Sequence, residues 1–173
     1  MSKLTRRQVV LGAVGTVGGL TLSSLAISAR AYSLPESARK AMVESSLVYI
    51  SPLKTNGEES RCHGEVWYHA DGADILVGST VTTWKVQAVN RGLDTARVWI
   101  ADYGPEWRAL GRYRSAPGFL AKVSIDESQA AFEGLMQGHS KRYPDEWGKW
   151  EERFKQEYAS GDRKILRYSP IGD

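Results

Sequence analysis

Between Gly78 and Lys85 the chain reads Gly-Ser-Thr-Val-Thr-Thr-Trp-Lys, running from an apolar stretch into a helix-forming one. Backbone N–H groups at a helix start attract anions. Thr82 and Thr83 add hydroxyl donors, and Lys85 adds a point charge. Together they suit one phosphate. Upstream, Arg61 opens a stretch in which Arg61, His63, Glu65 and Trp67 alternate with Cys62, Gly64, Val66 and Tyr68. If that stretch runs antiparallel to its neighbours, Arg61 supplies a second cation for the same anion. The same residues also suit a plain hydroxyl cap, a solvated lysine and a surface arginine. Composition alone leaves both readings open.

Other chemistry is thinner. His63 and Glu65 share a strand face, and His69 follows nearby. Two imidazoles and a carboxylate can hold iron or zinc, but such residues are ordinary at hairpin ends, and no metal is expected. Cys62 and His63 point to opposite faces and cannot chelate together. Cys62 reads as a small buried strand residue, and His139, in a polar stretch, as exposed. Trp84, Trp99 and Trp107 read as core packing.

The elements that position these residues follow from turn chemistry and period. Pro35–Glu44 reads as a short helix and Leu47–Ser51 as a strand. Asn56-Gly57 is a strong turn signal. A second strand spans Ser60–Tyr68, Ala70-Asp71-Gly72 turns, and Ala73–Ser79 is a third. A helix is expected over Thr82–Arg91, then strands over Thr95–Ala101 and Gly118–Ile125. Asp126 is placed to cap a helix carrying Ala130, Phe132, Leu135 and Met136. Trp147, Trp150, Phe154 and Tyr158 form an apolar stripe at helical spacing, predicting a second helix over Asp145–Tyr158 with Gly161 as its stop. Arg163–Tyr168 closes as a strand. Short strands, tight turns and few helices argue for a mainly β fold with helical additions, a small antiparallel barrel.

Order and spacing together resemble the flavin-binding split barrels of the pyridoxamine 5'-phosphate oxidase-like superfamily. The matching pieces are Leu47–Ser51, Asn56-Gly57, Arg61–Tyr68 with Val66-Trp67, Asp71-Gly72, Ile75–Ser79, Lys85-Val86, Ala96–Ile100, Lys141-Arg142-Tyr143-Pro144 and Lys164–Tyr168. They cover roughly residues 36–170. The resemblance implies a split antiparallel β-barrel of FMN-binding type that acts as a homodimer. It implies FMN as cofactor, with deazaflavin or haem in some branches. It implies a phosphate held by Arg61, Thr82, Thr83 and Lys85, and a ring system near Trp67 or Val77. The activity implied is hydride or electron transfer on a small-molecule substrate; a non-enzymatic flavin or haem carrier or sensor is the alternative. The C-terminal substrate-binding arginine pattern of authentic pyridoxamine phosphate oxidases is missing, so the vitamin B6 reaction itself is not implied.

Composition narrows the partners. The 173 residues are 42% hydrophobic and 10% aromatic, too apolar for a disordered chain. One cysteine excludes an intramolecular disulfide framework. The net charge of +3 is concentrated at one end. Lys3, Arg6, Arg7 and Arg30 are the charged residues of the first 31; removing them from 23 basic residues leaves 19 against 20 acidic, or −1. A body near neutrality with scattered basic residues argues against nucleic acid. Arg6-Arg7 precedes an uncharged run from Gln8 to Ala29 that ends in Ala29-Arg30-Ala31. That is the form of a twin-arginine signal peptide with its cleavage site. Residues 1–31 are therefore expected to engage the twin-arginine export machinery, and residues 32–173 to be the periplasmic or otherwise exported domain. A retained N-terminal membrane anchor is the alternative.

Overall fold

The computed structural model describes residues 33–172; the segment read as an export signal or anchor lies outside them. Among the described residues, no helix is long and apolar enough to cross a membrane. Helix α1 (Glu36–Glu44) leads into strands β1 (Val48–Pro52), β2 (Gly64–Val66), β3 (His69–Asp71) and β4 (Asp74–Thr80). Helix α2 (Trp84–Asn90), strand β5 (Thr95–Ile100), helix α3 (Glu106–Ala109) and a 3-10 turn (Arg112–Ser115) follow. Then come β6 (Gly118–Asp126), α4 (Gln129–Arg142), α5 (Pro144–Trp147), α6 (Glu151–Ser160) and β7 (Arg163–Ile171).

The strands form one antiparallel sheet in the order β2-β1-β5-β6-β7-β4-β3. Strands β2 and β3 sit at its two edges, yet only Trp67 and Tyr68 separate them in the chain. Three extended steps reach about 10 Å, whereas the edges of seven flat strands would lie about 29 Å apart. The sheet must therefore curl until its edges nearly meet. This corrects the expected single strand over Ser60–Tyr68: the chain leaves one edge at Val66 and resumes on the other at His69.

The curl encloses the main core. Val48, Ile50, Ile75, Val77, Val98, Ile100, Phe119, Ala121, Leu166 and Tyr168 pack inward, with Val86 of α2 and Ala38 and Met42 of α1. The next residue along β4, Leu76, faces outward and meets Ala131 and Leu135 of α4, Trp147 of α5 and Phe154 of α6. With both faces covered, β4 carries Ile75, Leu76 and Val77 in succession rather than in alternation with polar residues. The seam between the sheet edges is stitched by tyrosines. Tyr143 accepts the Tyr68 N–H (3.0 Å) and donates to the Ser46 carbonyl (2.8 Å), while the Tyr68 hydroxyl reaches the Met42 carbonyl (2.9 Å).

Two helix expectations need correction. Ser128, not Asp126, caps α4, accepting the Ala131 N–H at 3.2 Å; Asp126 instead accepts the Ser128 N–H. The helix expected over Asp145–Tyr158 is two, α5 and α6, interrupted at 148–150. Trp147 and Phe154 pack inward, but Trp150 is 40% exposed. Trp99 is buried as expected, whereas Trp107 is 69% exposed on α3.

Candidate functional site

Strand β4 ends at Thr80, and the chain turns through Val81–Thr83 into α2, which lacks a side-chain cap. Thr83 Oγ1 donates to the Thr80 carbonyl at 2.8 Å, so its proton is committed within the turn. Thr82 is exposed, its Oγ1 3.2 Å from that of Thr80. Val86 on α2 is anchored in the core, which fixes the register of its neighbour Lys85. Lys85 is half-buried and has no hydrogen-bond or ion-pair partner within bonding distance among the described residues. Burial pushes its ammonium pKa below the ordinary value, opposed by Glu65 and by Cys62.

The structure thus brings Lys85 toward the segment carrying Arg61. Cys62 is exposed, correcting its expected burial, because regular strand pairing begins only at Gly64. Arg61 is exposed beside it, its guanidinium likewise unengaged among the described residues. Glu65 is occupied, its Oε2 accepting the Glu106 N–H at 2.9 Å; His63 Nε2 lies 3.1 Å from Glu106 Oε1. Two nearby ring nitrogens, His63 Nδ1 and the indole Nε1 of Trp84, are enclosed without partners. Arg61 and Lys85 are thus cations without a bonded partner among the described residues, Thr82 adds an exposed hydroxyl and Trp84 a buried donor lacking an acceptor. This donor-rich set fits an oxyanion. No group of three metal-ligating side chains is present among the described residues.

Of the two residues expected beside a ring system, Val77 is buried and Trp67 half-buried. Val77 is 1% exposed inside the core, so its side chain supports the wall from behind and presents no face to a ligand. Trp67 stacks on Tyr143 with centroids 4.4 Å apart and borders a cleft of about 290 Å³ with Trp150, Arg153, Phe154 and Arg163.

Reading the sequence missed His139. It is 1% exposed rather than surface-lying, and neither ring nitrogen has a partner. The available signal was spacing: His139, Tyr143 and Trp147 recur every four residues, matching one face of a helix.

No family model matches the chain, and no curated protein matches it. Solved structures do. A conserved hypothetical protein from Mycobacterium tuberculosis aligns with a TM-score of 0.55 at 14% identity, over 83% of this chain and 84% of that one. HutZ, the heme storage protein of Vibrio cholerae, aligns with a TM-score of 0.52 at 10% identity, over 82% and 93%. A putative pyridoxamine 5'-phosphate oxidase from Listeria innocua gives 0.50 at 11% identity, over 78% and 90%. The fold is that of the pyridoxamine 5'-phosphate oxidase-like split barrels: a mostly antiparallel sheet curled into a half-barrel, with helices packed against it.

Proposed function

We propose that this chain is an exported, homodimeric flavin-binding protein that uses FMN to move a hydride or electrons to or from a small molecule. The observation that carries the reading is Lys85, a half-buried ammonium without an anionic partner within bonding distance at the β4–α2 corner of a split barrel. Lys85 and Arg61 are the proposed phosphate cations, with the Thr82 hydroxyl and the α2 backbone completing the set. Thr83 shapes the turn through its bond to Thr80. Trp67 is the proposed aromatic neighbour of the ring system, and Val77 backs that wall. The flavin would supply the redox chemistry. The chain's contribution is to bind its charged tail and hold its orientation, and no side-chain acid or base is assigned a proton transfer.

The test is direct. The purified protein is expected to be yellow, with a band near about 450 nm, and to release FMN identified by mass spectrometry. Lys85→Ala and Arg61→Ala should each weaken FMN binding by about 1–3 kcal/mol, the cost of a lost charge-assisted hydrogen bond. Unchanged FMN affinity in both variants would refute the site. The second reading is a non-turnover haem or flavin carrier. Its support is the fold shared with HutZ, described as a heme storage protein. Haem in the released fraction, or bound flavin that no electron donor reduces, would favour it; deazaflavin would be told apart by its mass.

A further inference from the structure

Where α4 and α1 both end, they border an open cavity of about 500 Å³ against β3, lined by His69, Lys141, Arg142, Gly138, Ser45 and Glu44. Arg142 is held there by neutral acceptors only. Its Nη2 donates to the Met42 carbonyl at 3.0 Å, and its Nη1 donates to the Ser45 carbonyl and to the Tyr68 hydroxyl at 2.8 Å. The guanidinium also lies 4.4 Å from the Tyr68 ring centroid. Its charge is fixed in place, yet no carboxylate lies within ion-pair distance among the described residues. Lys141, exposed on the neighbouring position, has no such partner either.

The third basic group is His69. A Cβ added at Gly138 would fall 2.1 Å from His69 Nδ1, so the imidazole rests directly on the bare helix backbone. No side chain hydrogen-bonds to it among the described residues. Burial depresses its pKa; Arg142 and Lys141 push the same way, and Asp71 opposes them. His139 also faces it from α4, as a neutral ring. The one carboxylate on the rim, Glu44, lies 3.9 Å from Lys40 on its own helix.

Two unneutralised cations and an unpartnered imidazole around one cavity are an incomplete electrostatic arrangement. We propose that this cavity binds the oxyanion end, phosphate or carboxylate, of a small soluble molecule. Its volume falls in the range of small-molecule sites. Arg142 would act as the preorganised anchor, Lys141 as the mobile second cation, and His69 as a donor that gains its proton when the anion arrives. The site shares no residue with the Lys85 corner and stands whether or not a flavin binds there.

Imidazole NMR of the full chain tests this. His69 is followed during titration with phenyl phosphate and, separately, with benzoate, which share a ring and differ in the oxyanion. The expected result is a saturable shift at His69 and a raised His69 pKa in the complex. Saturation by one probe identifies the preferred oxyanion. Lys141→Gln, an exposed change that breaks no contact of the fold, should weaken binding about tenfold. No saturable shift with either probe, or undiminished affinity in Lys141→Gln, would overturn the proposal.

Discussion

His139 sets the acid behaviour of the molecule at the scale of one residue. Its ring is boxed by Trp147, Tyr143, Phe154 and Trp67 at centroid distances of 4.9, 5.3, 5.8 and 6.0 Å, each nearly edge-on. Burial, followed by the charges of His69, Arg163 and Arg142, lowers its pKa from 6.5 to about 3. The unfolded chain therefore takes up this proton more readily than the folded one. Stability contributed by the neutral ring is present above pH 6.5 and falls as pH drops toward 3, with a slope approaching about 1.4 kcal/mol per pH unit. Because both nitrogens lack partners, an apolar replacement restores nothing polar and removes a desolvation cost. His139→Leu should leave stability at pH 7 unchanged or raise it by about 1 kcal/mol. It should also flatten the loss between pH 6 and 4. Urea unfolding at pH 7 and pH 5 checks both; a variant several kcal/mol less stable at pH 7 would show that the imidazole has a hidden partner.

Among elements, the curled sheet is tied by Arg167 of β7. Its Nε donates to Asp126 of β6 at 2.8 Å, and its Nη1 donates to Asp71 of β3 at 2.8 Å and Asp74 of β4 at 2.7 Å. One guanidinium thus binds three carboxylates from three strands. Burial works against its charge but is outweighed by Asp74, Asp126 and Asp71, and its pKa is raised. Arg167→Ala would leave those carboxylates facing one another. The expected cost is on the order of 2 kcal/mol, larger at pH 7 than at pH 3: burial opposes it, but hydrogen bonds from Ser128 and Arg167 lower the Asp126 pKa, and the stability this contributes is lost as pH falls below the ordinary carboxylate range. Equal destabilisation at both pH values, by thermal or urea unfolding, would contradict the charge argument. This clamp was not legible beforehand. Asp71 and Arg167 are 96 residues apart, and only the register of β3, β4 and β7 makes them neighbours. The break between α5 and α6 was hidden for a related reason. An apolar stripe at helical spacing continues through Gly148, yet the break falls there, with Trp147 buried on one side of it and Trp150 40% exposed on the other.

For the whole molecule, the proposal includes an address. If residues 1–31 are a cleaved twin-arginine signal, intact-mass analysis of the exported protein should place its first residue near Tyr32. Replacing Arg6 and Arg7 by lysines should then hold the chain in the cytoplasm. A full-length, membrane-associated product would favour the anchor instead.

Local chemistry was readable from the residues alone. Glycine turns, alternating apolar positions and the threonine-rich junction are short-range features, so α1, β1, β4, α2, β5, β6 and β7 fall close to where composition and period put them. The cations Arg61 and Lys85 were likewise visible as types. Their surroundings were not. Whether Val77 faced a ligand or the core, whether Cys62 was covered, and whether His139 was wet or dry depended on how the sheet closed. That closure was set by a two-residue link across a seam, because burial is a property of what arrives on the far side of an element, and sequence spacing describes only the near side.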